Sequence, residues 1–131
     1  MILRTHHLRG EVTVESVLYV PIVFLIVLIG FHLAALLHAG HVGSVAASRG
    51  AAQVASSMAS HGNAMRAIDE INRVTQEMGG TVVSSPRIVE SLTHFAVTVS
   101  LGSPRIVPFL PTHVSRTATS AKETFLDEQE R

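Results

Sequence analysis

The chain has 131 residues, ten basic against ten acidic, and a formal net charge of zero; this lacks the basic footprint that nucleic-acid binding leaves. Cysteine and tryptophan are absent and aromatics make up 5%, which excludes a disulfide framework, a thiolate metal site and a thiol nucleophile, and argues against an aromatic stacking platform. Only 15% of residues are charged while 47% are hydrophobic, against roughly 25% charged in soluble domains, so the apolar excess must be located along the chain.

Residues 1–10 form a short basic head with Arg4 and Arg9 and no acid, followed by Glu11 and Glu15. From Val17 to Leu37 runs an apolar stretch of 21 residues, interrupted only by Tyr19, Pro21, Gly30 and His32. No Asp, Glu, Lys or Arg stands between Glu15 and Arg49. As a helix this run measures about 31 Å, against a hydrocarbon core of about 30 Å. It has no polar face, as a buried core helix would, so a membrane-spanning helix is predicted over 11–40. The flanking charge places the head, as a leader, in the cytoplasm and the chain after about residue 40 outside. The rival is a removable secretory signal with a cut near Ala34–Gly40, which would release a soluble protein; its apolar region would normally be about 7–15 residues.

Residues 41–80 are predicted as an exposed helical extension. The alanine-rich stretch from Ser44 to Met78 reads as helix continuing the span, with a weak point at His61-Gly62-Asn63 where a kink or break is expected. Asp69, Glu70 and Arg73 sit at helical spacing on a solvated face. Ile68, Ile71, Thr75 and Met78 make a modest apolar stripe, and Gly79-Gly80 stops the helix.

Residues 81–121 turn β-branched and alternating, with strands expected at Thr81–Val83, Arg87–Val89, Phe95–Leu101 and His113–Ala121. Ser84-Ser85-Pro86 and Gly102-Ser103-Pro104 read as turns or strand breaks. Pro104 to Pro111 reads as an extended loop exposing Ile106-Val107-Pro108-Phe109-Leu110, an apolar tip suited to the bilayer or a partner subunit. The pentapeptide Ser-Pro-Arg-Ile-Val occurs at 85–89 and again at 103–107, which reads as two similar strand entries or coincidence. Residues 122–131 form a charged tail. The predicted fold class is α+β: a long N-terminal transmembrane helix extending into an exposed helix, then a small antiparallel sheet packed on it.

Little here suggests catalysis. There is no Gly-x-Ser-x-Gly elbow, phosphate loop or His-Glu-x-x-His, and Asp occurs only at 69 and 127; neither an enzyme nor a cofactor is expected. His38 and His41 have the spacing of a metal pair but lack a third ligand, and zinc takes at least three; they read as polar residues at the outer interface. Ala35, Ala39, Gly43, Ala47, Ala51, Ala55 and Ala59 form a ladder of small residues four apart. The ladder reads either as simple helix propensity or as close packing against the helices of other subunits. Glu15 lies about one turn inside the boundary of the apolar run. It is either an interfacial charge that snorkels and sets where the helix begins, or the partner of a cation from another chain. A free α-amine at Glu11 would serve if the head were removed after Gly10, where glycine gives a peptidase close backbone access.

Arg9-Gly10-Glu11-Val12-Thr13-Val14-Glu15, followed by Pro21 in a long apolar helix, resembles the TadE-like family of minor pilins, or pseudopilins, of tight-adherence pilus systems. Val45-Ala46-Ala47-Ser48-Arg49-Gly50-Ala51-Ala52 is similar to the segment that closes the family's motif, so the resemblance covers about residues 9–52. Ser16 stands where an aromatic commonly follows the glutamate. The resemblance implies a pilin-like fold and a prepilin peptidase that cuts between Gly10 and Glu11. It also implies a subunit-assembly role for Glu15, a place for Pro21 as the proline of the apolar helix, and the membrane and other pilin or pilus-assembly subunits as partners. Loss of Arg4 and Arg9 would leave eight basic against ten acidic residues, a net charge of −2. An unprocessed, membrane-anchored accessory subunit of a pilus or secretion machine is the alternative.

Overall fold

The computed structural model describes the backbone of residues 8–56 and 61–122 and the side chains of 15–56 and 64–122. Expectations for the leader at 1–7, for Ala59 and for the tail at 123–131 lie outside the described residues. The architecture is α+β: among the described residues, two helices are followed by three strands in one antiparallel sheet of order β1-β2-β3.

Helix α1 runs from Leu8 to Ala55, 48 residues, or about 72 Å at 1.5 Å per residue. It passes through Pro21, whose missing N–H gives up one helical hydrogen bond. Its two halves meet different surroundings. Between Val17 and Val27 every residue is exposed, Val17 at 72% and Phe24 at 62% among them. Beyond Leu37, still 73% exposed, the helix enters the core: Ala39, Val42, Ala46, Ala47 and Ala51 are all buried.

Helix α2, His61–Glu77, folds back antiparallel to α1. Ala67 clusters with Val54, a Cβ on Gly50 would stand 2.6 Å from Ile71 Cδ1, and Nε2 of His38 donates to the carbonyl of Met78 at 3.2 Å. Residues 41–80 are therefore two packed helices, not one continuing rod. Of the kink or break expected at His61-Gly62-Asn63, the chain takes the break: α1 ends at Ala55 and these residues open α2. The physical reason lies in α2 itself. Ala67, Ile71, Val74 and Thr75 are fully or nearly buried on one face, and a straight extension would leave that face in water.

The end of α2 is as expected. Gly79 adopts φ +72°, a conformation that glycine enters without the Cβ penalty of other residues. Gly80 N–H donates to the Thr75 carbonyl at 2.8 Å and Gly79 N–H to that of Gln76 at 3.0 Å, the paired bonds of a Schellman cap.

The strands are β1 Thr81–Glu90, β2 His94–Gly102 and β3 His113–Ala121. Two expected short strands are one: Ser84-Ser85-Pro86 lies within β1, where the register against β2 slips between Val82 and Ser84 and again between Ser84 and Arg87. An edge strand tolerates this, because proline and bulges disturb only one neighbour. Strand β2 alternates as its sequence suggests, with Phe95, Val97, Val99 and Leu101 buried. On the opposite face Thr98 and Thr117 share a hydroxyl hydrogen bond at 2.8 Å, as do Ser100 and Ser115. The main core joins Val42, Ala46, Ala47 and Ala51 of α1 to Ile71 and Val74 of α2 and to Val97, Val99 and Leu101 of β2.

The small-residue ladder thus has an occupant within the chain. Ala39, Gly43, Ala47 and Ala51 are buried against the protein's own sheet and α2, with Ala35 and Ala55 half-buried. Those four positions are not free for another subunit's helix. Small side chains are needed because α1 takes neighbours on two sides: the Gly50 position is bounded by both Ile71 and Val97.

Candidate functional site

The residues singled out for processing and assembly lie at one end of α1. The backbone of Gly10 and Glu11 falls within the first turn of the helix, which begins at Leu8; their side chains lie outside the described residues. Glu15 and Pro21 are exposed on the uncovered half. From Glu15 to His32, the first fully buried position along the described helix, is 17 residues, or about 25 Å. The structure therefore brings Gly10, Glu11, Glu15 and Pro21 together by adjacency on one helix end, away from α2 and the sheet.

A second constellation, which sequence reasoning passed over, is built around His32. Within the apolar run it stood as one interruption among four, yet its side chain is fully buried. The loop after β2 closes over it. Nε2–H of His32 donates to the Pro111 carbonyl at 2.8 Å, and Nδ1 accepts the Val107 N–H at 3.4 Å. The two bonds call for the neutral imidazole with its proton on Nε2. Val107 is 1% exposed, so the loop is not wholly an exposed tip: Val107 packs inward, while Phe109 remains 68% exposed. The signal was available in principle. A polar ring in a long uncharged apolar stretch needs a partner, and a proline-rich loop supplies carbonyls that no ladder uses.

The pentapeptide repeat takes two conformations. Residues 85–89 are in strand β1, whereas 103–107 form the entry to this loop. They share sequence and not structure: the first copy lies along β2, whereas in the second Ser103 N–H bonds the Thr112 carbonyl and Val107 N–H bonds His32.

Farther along α1 the polar contacts begin. His38 caps the end of α2, and Arg116 of β3 lies across Gly40 and Gly43, its Nε donating to the Gly40 carbonyl at 3.4 Å. A Cβ on Gly40 would stand 2.9 Å from the Arg116 guanidinium, so glycine lets the arginine lie flat on the helix. Higher still, Arg73 pairs with Glu70 at 2.7 Å and with Glu77 at 2.6 Å, and Arg49 approaches Glu70 at 3.8 Å. Hydrogen bonds from Arg73 hold the Glu70 carboxyl below its usual range, helped by the charges of Arg73 and Arg49; the same bonds raise the Arg73 guanidinium. At the far end of the sheet Lys122 pairs with Glu90 at 2.6 Å and stands over the Phe95 ring. Among the described residues no group of three or more His, Asp or Glu side chains is placed to hold a metal ion.

What the arrangement offers is positional. Among the described residues one helix is long and apolar enough to cross a membrane, with a small α/β headpiece gathered on its C-terminal half and a loop clasped to it at His32. No known protein family matches the chain, and no curated protein or solved structure does either.

Proposed function

We propose that this chain is a minor pilin or pseudopilin-like subunit of a tight-adherence, type IV-like pilus, held in the cytoplasmic membrane with its N-terminus inside and its headpiece outside. The observation that carries this reading is the split character of α1: a bare apolar half bearing a carboxylate at its inner end, and a packed half that belongs to the headpiece. Such a helix suits a subunit stored in lipid and later packed against other apolar helices. Helix packing and charge pairing would do the work, with no bond chemistry by the chain itself.

In this reading a prepilin peptidase cuts between Gly10 and Glu11, and Glu15 pairs with the α-amine of a neighbouring subunit. Glu15 has no Lys or Arg within its own chain from residue 16 to 48, so a cation for it comes most simply from elsewhere. N-terminal sequencing and intact mass of the membrane-extracted native protein test the cut. A chain beginning at Glu11 is expected; one retaining Met1 overturns processing. Glu15→Ala should then block recovery of the subunit in sheared filaments, and normal recovery would remove the assembly role.

One observation favours the unprocessed accessory subunit. The helix already includes Leu8 to Glu11, so a peptidase must unwind its first turn to reach the Gly10–Glu11 bond. Retained Met1, with the protein still in the membrane fraction, is the result that reading expects.

A further inference from the structure

We infer that the Pro104–Pro111 loop is a lipid-facing collar, seating Phe109 at the boundary between acyl chains and headgroups of the outer leaflet. This rests on the reading that α1 spans the bilayer, and the test below separates the two.

The first support is depth. The loop is tied to His32, five residues before the end of the apolar run at Leu37, or about 7–8 Å below it along the helix axis. With the run filling the hydrocarbon core, the loop cannot stand clear of the bilayer while both His32 bonds are made. On α1 at this level the exposed side chains are apolar too: Phe31 is 64% and Leu33 48% exposed. Phe109, at 68%, adds to the same apolar zone. Above it stand the polar contacts of His38 with the Met78 carbonyl and of Arg116 with the Gly40 carbonyl.

The second support is the loop's backbone. Irregular chain is tolerated at membrane depth only where its polar groups are satisfied against protein. Pro104, Pro108 and Pro111 have no N–H to satisfy. Ile106 N–H donates to the Pro104 carbonyl at 3.1 Å and Leu110 N–H to that of Val107 at 3.4 Å; Val107 N–H and the Pro111 carbonyl are taken by His32. Ser103 N–H closes the base on the Thr112 carbonyl at 2.7 Å. The exposed Arg105 beside this tip suits the phosphate level, where basic and aromatic anchors collect. The occupant is thus a phospholipid bilayer: His32 takes one N–H and one carbonyl of the loop, Val107 packs inward, and Phe109 is left facing outward.

The chain has no tryptophan, so single substitutions report without background from that residue. Phe109→Trp, Phe24→Trp and Leu92→Trp are made in the full chain and reconstituted into phosphatidylcholine–phosphatidylglycerol vesicles. Leu92, 96% exposed in the β1–β2 turn, is the water control; nearby Phe95 clusters with Val54, about 33 Å beyond His32 along α1. The expected result for Phe109→Trp is blue-shifted emission with a roughly twofold or greater loss of intensity to lipids brominated near the headgroup end of the acyl chain, as for an interfacial aromatic. Phe24→Trp should be quenched best by bromines near the chain end, and Leu92→Trp by neither. If Phe109→Trp emits as if in water while Phe24→Trp is quenched, the collar is overturned and the span stands. Blue-shifted emission of Phe109→Trp with no bromine quenching also overturns it, because protein, such as a second copy, would then cover the loop. If neither position is quenched, the span fails and the collar with it.

Discussion

The two halves of α1 are one continuous helix composed for two different solvents. From Val17 to Leu37 the side chains are large, apolar and mostly uncovered; from Ala39 to Ala51 they are mainly small and mostly buried. Hydrophobicity falls sharply from the first segment to the second, and side-chain size falls with it: a helix surrounded by lipid presents bulky chains all round, whereas one pressed between a sheet and a second helix must let backbones approach. Gly30 and Gly50 show the difference most directly. A Cβ at Gly30 would meet nothing within 4 Å, while one at Gly50 would run into Ile71 at 2.6 Å and lie 3.4 Å from Val97 Cγ1.

Equal truncations in the two regions should therefore break apart in effect. Leu101→Ala or Ile71→Ala opens a cavity at a fully buried site and should cost the headpiece about 2–5 kcal/mol, measured by denaturant unfolding in detergent. Leu25→Ala, on the uncovered half, should leave the same transition within about 0.5 kcal/mol of its original position. The glycine pair sharpens this in the other sense. Gly50→Val should destabilise the headpiece by about 1–3 kcal/mol through overpacking, whereas Gly30→Val should not lower its melting temperature.

His32 joins the two regions, and its loss should be felt in both. His32→Ala leaves Val107 N–H and the Pro111 carbonyl without their partner, at a cost of about 1–3 kcal/mol. Hydrogen exchange should show the Val107 amide losing protection while amides in the middle of β2 keep theirs. The smallest effect belongs to the solvated face of α2. Because Glu70 is held below its usual range, its pairing with Arg73 stabilises the fold above the ordinary glutamate pKa of about 4.3. That contribution is lost as pH falls through the lower folded value. Glu70→Gln should flatten this part of the stability–pH profile below about pH 4.5, and an unchanged profile would remove Glu70 from the acid response.

Much of the fold is legible in the sequence. The uncharged run from Val17 to Leu37, the alternation of Phe95 to Leu101 and the Gly79-Gly80 stop are local patterns, and each is set by rules that act within a few residues. The apolar stripe on α2 was read at Ile71 and Thr75, but its burial against α1 was not, because helical spacing alone cannot tell a continuing rod from a hairpin. Ser84-Ser85-Pro86 carried a true signal of disruption, expressed as a bulge in an edge strand because β2 holds the strand on both sides of it. Gly10, Glu11, Glu15 and Pro21 were proposed from sequence spacing and resemblance, and the fold adds their separation from the headpiece.

The sequence by itself determined where lipid-compatible chain begins and ends, since solvation of side chains depends on composition over a single turn-by-turn stretch. Only the tertiary structure decided what the alanine and glycine ladder packs against, and that His32 holds a loop separated from it by more than seventy residues. Both are contacts between distant segments, and their partners are chosen by which surfaces the whole chain leaves uncovered.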